Sequence, residues 1–148
     1  LEPEVIREAT EADIPELLRM GRAFFGATAF GAVGFDEESA AATARMLIKL
    51  PNGILLITEG GMAGALVYPF YFNAAHLTAQ ELFWWVDPDA RKGGTGIHLL
   101  VALEAAARAK GAQSLTMICL AEIEGPAVAE LYLRNGYAPS EQSFIKVI

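Results

Sequence analysis

The residue types best suited to chemistry gather in one short stretch. Arg91 and Lys92 lead directly into Gly93, Gly94, Thr95 and Gly96, and a helical pattern runs from Gly96 to Lys110. Cations, glycines and a helix start together suit an anion. Glycine lets backbone N–H groups approach a phosphate closely, the first helical turn has unpaired donors, and its dipole favours negative charge. Spacing narrows the choice of anion. A nucleotide P-loop needs Lys and then Ser or Thr after its last glycine, whereas Ile97 and His98 follow here. A dinucleotide fingerprint needs its glycines directly behind a strand, and here a loop containing Pro88 intervenes. The remaining reactive side chains are scattered. Cys119 has no histidine at motif spacing and reads as a small buried apolar residue. His76 and His98 share no ligand spacing with each other or with a Cys-x-x-Cys, so no metal site is expected.

The elements that must position this loop can be read outward from it. Glu81 to Val86 is rich in aromatic residues and free of glycine and proline, which predicts a strand. Asp87, Pro88 and Asp89 stop it, since proline cannot donate to a sheet ladder. The helix from Gly96 carries Leu99, Leu100, Leu103, Ala106 and Ala107 on one face and small apolar residues on the other, so it is expected to be largely buried, with Gly111 as its C-cap. Ser114 to Leu120 is the next predicted strand, and its helical connection makes it parallel to Glu81–Val86. Gly125-Pro126 opens a further helix that stops at Asn135-Gly136, and Tyr137–Pro139 with Phe144–Ile148 are expected as a terminal pair of strands.

Upstream, Val5–Ala9 suits an edge strand, and Thr10 suits the N-cap of a helix with Ile14, Leu17, Leu18 and Phe25 on its apolar stripe. Gly26–Phe35 reads as a loop whose aromatic residues either tuck into the core or wall an acceptor pocket. Asp36, Glu37 and Glu38 complement the dipole of a helix running to Leu50. Ile54–Thr58 and Met62–Tyr71 read as strands joined by a turn at Glu59-Gly60-Gly61, and Asn73–His76 as a turn into the central strand.

Composition bounds the answer. A chain of 148 residues with 53% hydrophobic and 20% charged residues is expected to be one globular domain, residues 1–148, without repeats or linkers. The formal charge of −7 argues against nucleic acid or an anionic membrane as partner, so an anionic ligand needs local positive charge such as Arg91-Lys92. One cysteine excludes an internal disulfide framework and suits a reducing compartment. No apolar run reaches about 18 residues and no signal peptide is visible, so the cytoplasm is the expected location.

The string V-x-P-x-x-R-x-x-G-x-G-x-x-L-L, spelled by Val86, Pro88, Arg91, Gly94, Gly96, Leu99 and Leu100, resembles the acetyl-CoA-binding motif of the GNAT (Gcn5-related) N-acetyltransferase family. A second string, Leu131-Tyr132-Leu133-Arg134-Asn135-Gly136-Tyr137, resembles the L-Y-x-x-x-G-F/Y that ends the fourth helix of that family. The resemblance covers the chain from about Ile54 onward and implies an α/β (mixed α+β) fold. Its central mixed sheet would be mostly antiparallel, with six or seven strands and about four helices. The parallel pair Glu81–Val86 and Ser114–Leu120 would splay apart around the cofactor. Transfer of acetyl from acetyl-CoA to a primary amine is then the implied activity, by direct attack in a ternary complex. Trp84, Trp85 and Val86 would pair with the pantetheine amides, and Arg91, Lys92, Gly93, Gly94, Thr95 and Gly96 would hold the pyrophosphate. Tyr132 matches the family's general acid towards sulfur, and Glu81 a glutamate that some members use as base through water. A backbone N–H of Trp85 or Val86 would stabilise the oxyanion.

One position departs from the pattern: many members carry asparagine where this chain has Gly125. Glu141 is the alternative base. A small-molecule or peptide amine is the expected partner, with acceptor identity and oligomeric state open, a homodimer among the options. The competing function is a non-catalytic acyl-CoA-binding or regulatory module of the same fold.

Overall fold

A computed structural model gives the structure of the chain and describes residues 5–120 and 125–148. The expected edge strand is reduced to β1, Arg7–Glu8. Two helices follow, α1 (Ile14–Gly26) and α2 (Glu37–Lys49). Asp36 caps α2 by accepting from the Ser39 N–H at 2.8 Å. Three long strands come next: β2 (Gly53–Thr58), β3 (Gly61–Phe70) and β4 (Asn73–Val86). A 3-10 turn over Pro88–Gly93 leads into α3 (Thr95–Ala109), and β5 (Ser114–Thr116) and α4 (Gly125–Arg134) complete the order.

Neighbours in the sheet follow chain order, β1-β2-β3-β4-β5, antiparallel except for the parallel β4–β5 pair. The sheet has five strands among the described residues, not the six or seven that the resemblance implies. Residues 137–148 form no strand, and Phe144 and Ile145 are exposed. The β-branched character of that tail finds no cross-strand partner, and strand propensity without one is weak. In the other direction, β4 begins at Asn73, within the segment expected to turn. Pairing of Phe70 with Asn73 and of Pro69 with Leu77 carries the ladder back to the hairpin tip.

The sheet is a middle layer between two helix layers. On one face, Met20 of α1 and Leu47 of α2 pack on Leu55, Ile57, Met62 and Trp85. On the other, Leu99 and Leu103 of α3 pack on Ile54, Leu56, Ala63, Ala65 and Val67. Because both faces are covered, β2 is buried along its whole length, as its unbroken apolar run Ile54–Ile57 requires. Small residues on β3 set how closely α3 approaches: a Cβ on Gly61 would lie 2.8 Å from Leu99 Cδ1.

Candidate active site

A cleft forms where β4 and β5 part. Their parallel pairing covers only Thr78–Gln80 against Ser114–Thr116 and ends immediately before Glu81. The cause lies in β4. Gly64 pairs with Phe83 while the adjacent Ala65 pairs with Glu81, so Leu82 is an inserted residue, a β-bulge. Bulges bend the strand and raise its local twist, which carries β4 away from β5. Gly64 makes room for this: a Cβ there would lie 2.6 Å from the Phe83 ring. The bulge also resets alternation. Strict alternation would put Glu81 on the face of Phe83 and Trp85; through Ala65 and Ala63 it instead shares the register parity of Trp84.

The cleft encloses about 430 Å³. One end is built from Val86, Arg91, Gly94, Gly96 and Ile97, the strand end and the glycine loop. Gly94 sits at φ +82 and so can link the 3-10 turn to α3 without strain. The first helical bond of α3 is His98 N–H to Gly94 O at 3.0 Å, which leaves the Thr95–Ile97 amides as the first-turn donors of the helix. Arg91 is anchored: its Nε donates to Val86 O at 2.9 Å, and its guanidinium lies 5.0 Å from the centre of the Trp85 ring. Asp87 ties the end of β4 to α1, accepting from Trp85 Nε1 at 2.9 Å and from Arg19 Nη2 at 2.6 Å. Burial opposes ionisation of Asp87, but these hydrogen bonds and the nearby guanidinium groups hold its carboxyl below the usual range.

Glu81 lines the cleft and is 4% exposed. Burial pushes its carboxyl up to about 8, partly offset by a hydrogen bond from the Ile118 backbone N–H. Tyr132 of α4 is buried nearby, its ring 5.8 Å from that of Trp84, and its hydroxyl donates to Ile118 O at 2.6 Å. Burial raises the phenol well above its ordinary value, and the neighbouring Glu81 adds to this. Tyr132 therefore keeps its proton at neutral pH. Both titratable groups meet the backbone of the same residue, Ile118.

Of the expected cofactor residues, Trp84, Trp85, Val86, Arg91, Gly94 and Gly96 line the cleft. Lys92 and Gly93 are exposed on the same turn, while the Thr95 side chain is buried with its methyl towards Gly61. Glu141 is exposed and outside the cleft walls. Cys119 is exposed rather than buried as expected, because β5 stops at Thr116; its Sγ donates to Gly125 O at 3.2 Å. His98 is exposed. Phe24, Phe30, Leu82, Ile118 and Leu120 also line the cleft, and none of them belongs to a recognisable motif. Only the aromatic content of Gly26–Phe35 hints at one of them, Phe30. Among the described residues no group of His, Cys, Asp and Glu is placed to hold a metal, and no helix is long and apolar enough to cross a membrane.

A three-layer α/β domain with parallel strands splayed over a glycine loop and helix start is the architecture of acyl-CoA N-acyltransferases. The chain belongs to the acetyltransferase (GNAT) family, whose model matches residues 22–138, and it is an acyltransferase. Solved structures share the fold. The aminoglycoside acetyltransferase AAC(6')-Iy, in complex with the bisubstrate analogue CoA-S-monomethyl-acetylneamine, is 14% identical with a TM-score of 0.79, over 99% of this chain and 99% of that one. The ribosomal-protein-alanine N-acetyltransferase of Brucella melitensis biovar Abortus 2308 is 15% identical with a TM-score of 0.74, over 99% of each chain. A transcriptional regulator from Bacillus halodurans C-125 is 20% identical with a TM-score of 0.74, over 99% of this chain and 100% of that one. No curated protein matches the sequence.

Proposed function

We propose that the chain transfers acetyl from acetyl-CoA to a primary amine by direct attack in a ternary complex. The observation that carries the reading is the buried carboxylate of Glu81 at the point where β4 leaves β5, inside the cleft. The pyrophosphate would lie on the first-turn amides of α3 and the turn Arg91–Gly96, with the pantetheine arm along Trp84–Val86. An alkyl ammonium near pKa 10.4 is almost wholly protonated at neutral pH and cannot attack a thioester, so a base is needed. A carboxyl held at about 8 is well matched to take that proton directly or through water. The amine nitrogen then bonds to the thioester carbon, and the N–H of Trp85 or Val86 stabilises the oxyanion. As the C–S bond breaks, the leaving sulfur takes the proton of Tyr132, whose hydroxyl turns from Ile118 O, and the second proton shed by the nitrogen as the amide forms restores the phenol through water.

The names of AAC(6')-Iy, an aminoglycoside N-acetyltransferase, and of the Brucella enzyme both denote acetylation of an amino group, which supports the same chemistry here. A non-catalytic acyl-CoA-binding module is the competing reading, favoured by the Tyr132 proton being engaged with Ile118 O at rest. Incubation with acetyl-CoA and a panel of primary amines separates the two. Amine-dependent release of CoA thiol with an acetylated amine in the mass spectrum is expected. CoA binding without thiol release would favour the module.

A further inference from the structure

The cleft has a second end, and it is chemically unlike the first. Phe24 of α1, Phe30 just beyond it, and Leu82 and Trp85 of β4 form this side, on the sheet face covered by α1 and α2. Phe24 meets Trp85 edge to face at 6.3 Å between ring centres. Among the described residues that line the cleft, the only carboxylate is Glu81 and the only cation is Arg91, whose guanidinium lies over the Trp85 ring. An amine that reaches Glu81 along this side, while the cofactor fills the loop end, lies against rings and an aliphatic chain. We infer from this apolar side that the acceptor is a primary amine on an apolar body, an alkyl or arylalkyl monoamine preferred over a polycation. This rests on the proposed acetyl transfer and adds the class of acceptor.

Desolvation decides between the two classes. Each ammonium of a polyamine or aminosugar brought into an apolar cleft needs an acidic or polar partner, and those left without one cost binding energy. Glu81 can serve one such group. Its raised pKa means that at neutral pH it carries little standing negative charge to draw a polycation in. An aryl or alkyl body instead displaces water from Phe24, Phe30 and Trp85, which favours binding. Some fold neighbours are named as aminoglycoside acetyltransferases, so aminosugars are the acceptors to test against.

The test compares 2-phenylethylamine and hexylamine with spermidine and kanamycin, using acetyl-CoA and the intact protein. The monoamines should show kcat/KM at least about tenfold above the polycations, the scale on which an apolar pocket discriminates. Phe24→Asp should narrow that gap by supplying a second carboxylate. Phe30→Asp, at a position already 37% exposed, gives the same reading if the first variant fails to fold. Equal or better turnover of the polycations would overturn the inference. So would a preference for a longer acyl thioester with indifference among the amines, since the apolar wall would then belong to the acyl chain. If no amine releases thiol, the acetyl-transfer reading fails. Calorimetry of the same amines on the CoA-loaded protein then decides: tighter monoamine binding supports the inference, and its absence overturns it.

Discussion

The two walls of the cleft are built by different means. The β4 wall belongs to the sheet: a strand of 14 residues paired with β3 along its length, backed by α3 and stopped by Pro88. The opposite wall hangs on little. β5 pairs over three residues, Met117–Leu120 continue outside any ladder, and α4 buries only Tyr132. What holds α4 to the site includes the Tyr132 hydroxyl on Ile118 O and the ring contact with Trp84. A firm wall suits cofactor positioning, where backbone amides must meet a phosphate within hydrogen-bond reach. A lightly held wall suits a proton donor that must change partners during the reaction.

Tyr132→Phe should give the largest effect, because it removes the proposed proton donor and the tie to Ile118 together. Turnover should fall by roughly 10²-fold with little change in CoA affinity. The lost hydrogen bond should also cost about 1 kcal/mol of stability in a denaturant titration. Equal turnover in the variant would reduce Tyr132 to packing and make the thin wall merely structural. Gly94→Val attacks the firm wall. A β-branched residue at φ +82 is strained and crowds the amides, so CoA should bind at least tenfold more weakly, about 1.4 kcal/mol. Unchanged affinity by calorimetry, with an intact circular dichroism spectrum, would remove the pyrophosphate from this loop. Arg19→Ala should give the smallest effect. The Arg19–Asp87 pair links α1, which carries Phe24, to the end of β4, but Arg19 is half exposed. Its loss should therefore cost no more than about 1 kcal/mol, read as a small drop in Tm. A larger loss would show that the firm wall depends on α1.

The firm wall is also the part most legible in the sequence. Strand, proline stop, basic turn and glycine-led helix are local features, each with its own residue signal from Glu81 to Lys110. Glu81 and Tyr132 stand out as candidates, but their meeting at Ile118 does not, because it joins three separate segments of the chain. The bulge at Leu82 is accommodated by Gly64, nearly twenty positions earlier in the chain and paired across the sheet. The same non-locality hides the start of β4: Asn73–His76 has turn-like residues, yet pairing with β3 makes it strand. Phe144–Ile148 shows the converse, strand-like residues with no partner among the described residues. Phe24 lies on an amphipathic helix whose stripe suits plain core packing, and its facing on the cleft goes with its edge-to-face contact on Trp85 of β4.

Whether Glu81 is the base is decided by the pH dependence of kcat/KM for wild type and Glu81→Gln, with one simple primary amine. Burial raises the Glu81 pKa, so its basic form appears as pH rises towards about 8. Wild-type kcat/KM should climb with pH and level off near that value. Glu81→Gln should be slowest relative to wild type at low pH and keep rising towards the pKa of the free amine, about 10.4. Superimposable profiles for the two proteins would contradict Glu81 as the base of the reaction.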